Sequence, residues 1–273
     1  MKKIVSFVLT VALAVTACFV VTGCGNDAKE ELIVGMECAY APFNWTETTK
    51  TSTNVQIFGT NQYAEGYDVQ IARRIADALN RELVIKAIEW DGLIPALQSG
   101  TIDLVIAGMS PTETRKLDID FTDSYYTSEH VIVCQKTNAI ANESDVADLG
   151  GYSIVGQVGT LYESIARSIL NNNAQESLYK GTVPEIITDI KAGLVDATVL
   201  ELPVAQGILA SDSTLTMIQF DEGKGFVVAD EDKVVSIGIA KGQEDLLNRI
   251  NEILRGISET ERVQIMQDAV NAQ

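Results

Sequence analysis

The 273 residues include 20 basic and 38 acidic side chains, a formal net charge of −18, and 46% are hydrophobic. The hydrophobic content indicates a globular protein with a substantial core rather than a disordered chain, and the length allows one large or two modest domains. The acidic balance argues against nucleic acid as a partner, because phosphates require a basic surface.

The first 23 residues have the pattern of a secretory signal peptide. Met1-Lys2-Lys3 is a short basic start, and residues 4–21 are almost entirely apolar or small. A membrane-spanning helix is the alternative, since the run is close to spanning length. Residues 21–24, Val-Thr-Gly-Cys, resemble a bacterial lipobox. We therefore expect cleavage before Cys24, lipidation of that cysteine, and a polar tether over residues 24–31 that holds an extracytoplasmic protein to the outer face of the cell membrane.

Cysteine and histidine are scarce. Cys18 would leave with the signal peptide and Cys24 would carry lipid, which leaves Cys38 and Cys134. A disulfide between these two is permitted outside the cell, but both lie in apolar runs where free buried thiols are at least as frequent. His130 is the only histidine, so we expect neither a metal site nor another cofactor, and we assign His130 no catalytic role.

The first half of the chain predicts strands that alternate with helices. Periodicity and turn residues indicate, in chain order, a strand at 32–36, a turn-rich segment at 40–45, a polar loop or loose hairpin at 46–65, an amphipathic helix at 67–80, a strand at 83–88, a short helix from a cap at Asp91 to Leu97, and a strand at 102–107.

The second half repeats this alternation. It predicts strands at 130–135, 153–156, 197–200 and 235–240, and helices at 161–170, 184–192, 244–254 and 259–269. Such alternation favours an α/β fold with a parallel sheet. We find no internal repeat, low-complexity block or proline-rich linker, so two lobes would have to be joined by tight strand crossings.

A series of short motifs runs through the chain in a fixed order. They are YAPF at 40–43, GYDV at 66–69, WDGLIPAL at 90–97, GTID at 100–103, AGMSPTETR at 107–115, DFTDSYY at 120–126, GT at 159–160, VDA at 195–197 and IGIAKG at 237–242. Each motif alone is weak, but the order and spacing are specific. Together they resemble the extracellular solute-binding proteins of family 3, the polar amino-acid-binding proteins of ATP-driven importers, over nearly the whole chain after the signal.

The resemblance implies a two-lobed α/β fold of the periplasmic-binding-protein type II. Two crossing strands join the lobes, which close on the ligand like a hinged clamp. By this resemblance, lobe 1 is 32–125 plus 237–273, lobe 2 is 129–233, and the hinge strands are 126–128 and 234–236. Such crossings would explain why no linker is visible.

Five residues are expected to hold the head group of a free amino acid. Arg115 occupies the family's carboxylate-binding position, where a planar bidentate cation is suited to the task; the alternative is a surface arginine paired with an acid. Ser110 would add a hydroxyl, and the Gly108 carbonyl would accept from the α-ammonium. Thr160 begins a helix whose N-terminus suits an anion, or it is an ordinary cap. Glu201 would bind the ammonium, unless it is an exposed loop residue.

The remaining candidates would form the side-chain pocket, which should combine apolar walls with a few polar groups. Tyr40 and Trp90 fall where the family places aromatic rings around the ligand's aliphatic stem, with core packing as the alternative. Glu37 would face the end of the ligand side chain, or it is a solvated charge at a strand end. Gln157 completes the expected set of ligand-binding residues.

The chain departs from the family pattern in two places. Glu201 stands where the family usually has aspartate, which leaves the reach of its carboxylate open. Leu161 and Tyr162 follow Gly159-Thr160 where relatives tend to have threonine or glutamine, which makes some polar contacts from lobe 2 uncertain. Asp196 is expected to brace its own turn.

These residues predict a monomeric binding protein, not an enzyme. It would capture a free polar amino acid by lobe closure, with arginine or lysine favoured and glutamine next, and deliver it to the permease subunits of an ABC importer. A separate subunit would hydrolyse ATP, because the chain has no GxxxxGK[ST] loop. The alternatives are a cyclohexadienyl-dehydratase-like enzyme with Glu37 or Glu201 as general acid, and a sensory or adhesive module, which a chain ending at Gln273 disfavours.

Overall fold

The computed structural model of the protein describes residues 29–170 and 178–273. The expected signal peptide, the lipobox with Cys24 and most of the tether lie outside the described residues. Within the described residues, no helix is both long and apolar enough to cross a membrane.

The regular elements before residue 128 include most of those expected. They are β1 (Glu31–Met36), β2 (Ala39–Tyr40), β3 (Asn44–Glu47), β4 (Val55–Gln56), β5 (Tyr63–Glu65), α1 (Tyr67–Leu79), β6 (Glu82–Ala87), α2 (Leu93–Gln98), β7 (Leu104–Val105), α3 (Glu113–Asp118) and β8 (Asp120–Thr127).

The rest of the described chain continues the alternation. Its elements are β9 (His130–Gln135), β10 (Ile154–Val155), α4 (Leu161–Ile169), α5 (Val183–Ala192), β11 (Ala197–Glu201), α6 (Leu202–Ser211), β12 (Leu215–Ile218), β13 (Val234–Ile239), α7 (Glu244–Arg255) and α8 (Glu259–Asn271).

Two main sheets form the centres of two α/β lobes, which confirms the predicted fold class. In lobe 1 the strand order is β6-β1-β7-β13-β8, and in lobe 2 it is β10-β11-β9-β12. Both sheets are mixed rather than purely parallel: β1 is parallel to β6 and β7, whereas β13 is antiparallel to β7 and β8. The direction of β13 follows from the topology, because it returns from lobe 2 beside β8, the strand that leaves lobe 1.

The two crossing strands lie side by side. Val234 pairs with Thr127 and Val235 pairs with Tyr126, and the register shifts on either side of Ser236. Because the described part of the chain crosses between the lobes on these neighbouring strands, bending there lets the lobes move relative to each other. The lobe boundaries given above stay a prediction.

The polar segment after residue 46 forms more structure than expected. β2, β3, β5 and β4 make a small antiparallel sheet, in that order. Its strands are only two to four residues long, too short for alternation to reveal them in the sequence. Glu65 stabilises the intervening loop by accepting hydrogen bonds from Thr51 and Thr53, at 3.1 and 2.7 Å.

The predicted cap at Asp91 is wrong. Residues Trp90–Gly92 form a single 3-10 turn, and Gly92 is the N-cap of α2, without a side-chain cap. Asp91 therefore lies inside the turn. The longer helix α1 matches its prediction closely and ends at Asn80 in the left-handed conformation.

A buried hydrogen-bond network joins three segments of lobe 1. The Asp68 carboxylate accepts from the Tyr125 hydroxyl at 2.7 Å and from the Asn44 amide at 2.8 Å. Tyr125 in turn accepts from the Gly108 N–H at 3.1 Å, and Asn44 accepts from the Cys38 N–H at 2.7 Å. The network thus fixes the backbone at Cys38 and at Gly108 relative to the start of α1. Burial raises the pKa of Asp68 to about 6.

Cys38 and Cys134 are both free and buried. Burial raises the pKa of Cys38 to about 12 and that of Cys134 to about 11. Both are therefore protonated, unreactive thiols at neutral pH.

Candidate functional site

A cavity between the lobes brings together most of the predicted ligand-binding residues. Its lining consists of Glu37, Tyr40, Trp90, Gly108, Ser110 and Arg115 from lobe 1 and Gln157, Thr160, Leu161 and Tyr162 from lobe 2. Glu201 is the one predicted residue that does not line the cavity. Its carboxylate lies behind Tyr40 and is reached through the tyrosine hydroxyl.

Arg115 is held in place without a carboxylate partner. It lies on α3, where one guanidinium nitrogen donates to the Ser110 carbonyl at 2.9 Å and another donates across the cleft to the Gly159 carbonyl at 3.2 Å. The guanidinium also lies 5.1 Å from the centre of the Trp90 ring. Burial lowers the pKa of Arg115 to about 10, so it stays charged at neutral pH. Among the described residues no acid forms an ion pair with it, and the alternative of a paired surface arginine is wrong.

Thr160 caps helix α4 at the edge of lobe 2. Its hydroxyl accepts from the Glu163 N–H at 3.4 Å and donates to the Gln157 carbonyl at 2.7 Å, and its own N–H bonds to that carbonyl at 3.2 Å. Thr160 is therefore an ordinary N-cap. The next N–H groups of the first turn have no acceptor within the helix, and these groups suit an anion held by Arg115.

Glu201 ends strand β11 and is only 2% exposed. The Tyr40 hydroxyl donates to it across the cleft at 3.1 Å. Burial raises the pKa of Glu201 to about 7, although hydrogen bonding to Tyr162 and Tyr40 lowers it, and the charge of Asp68 raises it further. The alternative of an exposed loop glutamate is therefore wrong.

Glu37 and Gln157 meet across one end of the cavity. The Gln157 amide donates to both Glu37 oxygens, at 2.9 and 3.1 Å, and to the Gly181 carbonyl at 2.8 Å. Burial raises the pKa of Glu37 to about 7, and the nearby charges of Glu89 and Asp91 raise it further. Glu37 is thus not a freely solvated charge, and this end of the cavity is acidic.

The two predicted aromatic residues have different surroundings. Tyr40 is buried and stacks on Phe43, with ring centroids 5.5 Å apart. Trp90 is only partly buried, and its indole N–H donates to the Gly159 carbonyl of lobe 2 at 3.0 Å. Trp90 and Arg115 therefore share one acceptor across the cleft, and Trp90 is not simply a core residue.

A larger groove of about 640 Å³ also lies between the lobes, on another side of Tyr40. Its walls are mainly apolar, and its one cation, Lys191, is paired with Asp212 at 2.6 Å. Since this cation is already paired, the described lining of the groove offers no free positive charge to bind a carboxylate, and the smaller cavity with Arg115 is the better candidate for a binding site.

Sequence reasoning missed the contribution of Tyr162. The residue is buried, lines the cavity and packs its ring edge-on against His130, with centroids 5.6 Å apart. The available signal was its position two residues after Thr160, in the first turn of α4, where a side chain starts at the edge of the cleft. Asp196, as expected, braces its turn by accepting from the Ser153 N–H at 2.8 Å.

Comparison with known proteins supports the resemblance seen in the motifs. Residues 32–269 match the bacterial extracellular solute-binding proteins, family 3. The chain is 30% identical to the arginine-binding extracellular protein ArtP of Bacillus subtilis (strain 168) over 89% of its own length and 90% of that protein. It is 32% identical to a probable histidine-binding protein of Campylobacter jejuni, over 84% and 86% of the two chains. A crystal structure of the substrate binding protein of an amino acid ABC transporter superposes with a TM-score of 0.71 at 30% identity, covering 89% of this chain and all of that one.

Proposed function

Because the chain belongs to the bacterial extracellular solute-binding proteins of family 3, we propose that it is the substrate-binding component of an ABC-type amino-acid importer. One observation carries the proposal for this site. Glu201 is buried and Arg115 is partly buried, the two lie on opposite sides of one cleft, and neither forms an ion pair among the described residues. A zwitterion supplies both missing charges.

Different residues of the cleft bind the α-carboxylate and the α-ammonium of a free amino acid. Arg115 and the first turn of α4 bind the α-carboxylate, since a guanidinium can donate two parallel hydrogen bonds. The Gly108 carbonyl, Ser110 and the charge of Glu201 stabilise the α-ammonium. Lobe closure then removes the ligand from water, which strengthens each of these contacts, and the closed form is delivered to the permease.

The acidic end of the cavity favours a cationic side chain. The aliphatic stem of the ligand lies between Tyr40 and Trp90, and its end meets the Glu37 carboxylate and the Gln157 amide oxygen. A guanidinium or ammonium offsets the charge of Glu37 there, whereas the amide of glutamine only donates a hydrogen bond. The site therefore takes arginine or lysine first and glutamine next.

A thermal-shift screen against the twenty amino acids tests this function. A ligand that binds only the native state stabilises it by about 4 kcal/mol at a thousandfold excess over Kd. We expect a large rise in melting temperature with arginine or lysine and a smaller one with glutamine. No rise with any amino acid would refute the proposed function.

Replacing Glu37 with glutamine tests the selectivity. The variant removes the charge that faces a cationic side chain, so arginine affinity should fall about 30-fold or more, while glutamine affinity changes less than about threefold. Isothermal titration calorimetry with both ligands measures the difference. Glu82→Gln, on the exposed edge of β6, is the control and should change neither. Equal losses for arginine and glutamine would contradict the assignment.

The proposal extends to the cellular setting of the protein. It is secreted, lipidated at Cys24 and held at the outer face of the cell membrane as a monomer, and it uses no cofactor. The motif at residues 21–24 supports this part of the proposal, and the −18 charge makes direct adsorption to anionic lipid unfavourable.

A dehydratase-like enzyme is the second candidate, because a buried glutamate with a pKa of about 7 is suited to act as a general acid. The presence of a cation, Arg115, and an acid, Glu201, that form no ion pair with each other favours binding of an intact zwitterion. Mass spectrometry of ligand recovered from the screen separates the two functions, since a binding protein returns its ligand unchanged.

A further inference from the structure

Two backbone turns of lobe 1 beside the cavity have a left-handed conformation. Cys38 has a φ of 58° and Gly108 has a φ of 60°. Cys38 lies between Glu37 and Tyr40 in the chain, and these two residues line the cavity together with Gly108. Because left-handed backbone is unfavourable for a residue with a Cβ, the turn at Cys38 needs support from its surroundings. The two turns set the positions of the Glu37 carboxylate and of the Gly108 peptide.

Both turns are held by hydrogen bonds that lead to one buried carboxylate. One Asp68 oxygen accepts from the Tyr125 hydroxyl at 2.7 Å, and that hydroxyl accepts from the Gly108 N–H at 3.1 Å. The other Asp68 oxygen accepts from the Asn44 amide at 2.8 Å, and the Asn44 side-chain oxygen accepts from the Cys38 N–H at 2.7 Å. Asp68, Tyr125 and Asn44 are fully buried. Asp68 is not part of the cavity lining, so it acts on the site through its two neighbours.

The charge of Asp68 sets the direction of both chains of hydrogen bonds. An ionised carboxylate only accepts, and the pKa of Asp68, which burial raises to about 6, still lies below neutral pH. Tyr125 and Asn44 must therefore each donate to it, and each keeps an oxygen that can accept from a backbone N–H. A side chain with its own donor at this position would not impose that direction.

The burial of Asp68 is not offset by a cation. Among the described residues this carboxylate forms no ion pair, and burying a charge without a cationic partner is costly. An amide of nearly the same size would fill the same space without a buried charge. Packing alone therefore does not account for a carboxylate here, whereas the direction that it gives to the hydrogen bonds does.

We propose that Asp68 is a positioning residue of the ligand-binding site. Through Tyr125 it holds the peptide of Gly108, whose carbonyl accepts from the α-ammonium common to free amino acids. Through Asn44 it holds the turn that places Glu37 at the end of the ligand side chain. This role rests on the proposed function, and it makes one buried acid responsible for both the head-group contact and the side-chain contact of lobe 1.

The two branches should differ in the ligands that they affect. Tyr125→Phe releases the Gly108 N–H, so the affinities for L-arginine and L-glutamine should both fall about tenfold. Asn44→Leu releases the turn after Glu37, so arginine affinity should fall about tenfold and glutamine affinity less than about threefold. Isothermal titration calorimetry of the full chain at pH 8 measures both. A residue that only stabilised the fold would lower the melting temperature without this difference between ligands.

Exchanging the two side chains tests the direction of the hydrogen bonds. Asp68→Asn alone introduces an NH2 group that faces either Asn44 or Tyr125. Either way a buried donor loses its acceptor, so both affinities should fall about tenfold. Adding Asn44→Asp restores the acceptors: the amide at position 68 donates to the carboxylate at position 44, whose second oxygen accepts from the Cys38 N–H. Both affinities should then return to within about threefold of wild type.

Asp196→Asn is the matched control. Asp196 also accepts several hydrogen bonds, from the Ser153 N–H at 2.8 Å and from the Asn138 amide at 2.7 Å. It braces a turn of lobe 2 and is not part of the cavity lining. This variant should therefore unfold at a lower temperature and keep wild-type affinity for both amino acids.

Wild-type affinity in both Asp68→Asn and Tyr125→Phe would overturn the positioning role and leave the proposed function standing. A double variant that regains its melting temperature but not its affinity would overturn the role as well. If Asp68→Asn does not fold, Tyr125→Phe decides the question, because it keeps the carboxylate and Asn44 in place. Failure of the wild-type protein to bind any amino acid would overturn the proposed function together with this role.

Discussion

Arg115→Ala should abolish amino-acid binding and leave the fold intact. Arg115 is a partly buried cation of the cleft that forms no ion pair among the described residues, although the charge of Asp232 acts on it, and alanine would leave the ligand carboxylate without its counter-charge. Truncating one member of such a pair costs about 4 kcal/mol, or about a thousandfold in Kd. Isothermal titration calorimetry gives the affinity, and far-ultraviolet circular dichroism with thermal unfolding checks the fold.

The matched control for this loss is Arg74→Ala. Arg74 forms an exposed ion pair with Glu261 at 2.9 Å in lobe 1, and exposed pairs of this kind contribute little. Its removal should leave affinity unchanged. Arg115→Lys keeps the charge but loses the bidentate geometry and should bind weakly. Wild-type affinity in Arg115→Ala would remove this residue from the site.

Gly159→Ala should weaken binding by about 100-fold, because it obstructs closure. Gly159 has a φ of +73°, and a Cβ there would lie 2.5 Å from an Asp91 carboxylate oxygen and 3.3 Å from the Trp90 ring. The side chain would therefore collide with lobe 1 when the lobes meet. Affinity falls in proportion to the fraction of molecules that can close, and calorimetry together with small-angle scattering of the ligand-saturated protein measures both effects.

Gly193→Ala separates backbone strain from obstruction. Gly193 lies in the same lobe with a φ of +70°, but a Cβ there would meet nothing within 4 Å. Both variants lose about 1 kcal/mol or more from the left-handed backbone, so both should unfold at lower temperature. Only Gly159→Ala should lose affinity and closure. If the two variants bind alike, the contact between Gly159 and lobe 1 does not limit closure.

The fold was predictable where the sequence has a clear period or an ordered motif. Helices α1 and α7 each have one apolar face, and their predicted bounds match within one residue at each end. Helix α6 was missed because it is apolar on most sides, since it packs against α8 as well as its own sheet. Helix α3 is a single charged segment of six residues, too short to show an apolar face.

The sequence predicted which residues form the site, but not the contacts that these residues make with one another. The motif resemblance suggested Arg115 and Glu201, and no local pattern could show that Glu201 would end up behind the Tyr40 phenol. That arrangement depends on Tyr40, which is 161 residues away in the chain. The capping role of Thr160 followed from local chemistry, whereas the shared acceptor at Gly159 appears only when the lobes meet.

The position of β13 in its sheet also constrains how a newly made chain can fold. β13 fills the place between β7 and β8, yet it emerges from a ribosome or a secretion channel only after the whole of lobe 2. Until then, two strand edges of lobe 1 remain unpaired and exposed to aggregation. Lobe 2, whose strands are close together in sequence, can finish first. The order of emergence therefore makes lobe 1, which contributes Arg115, the last part of the binding site to mature.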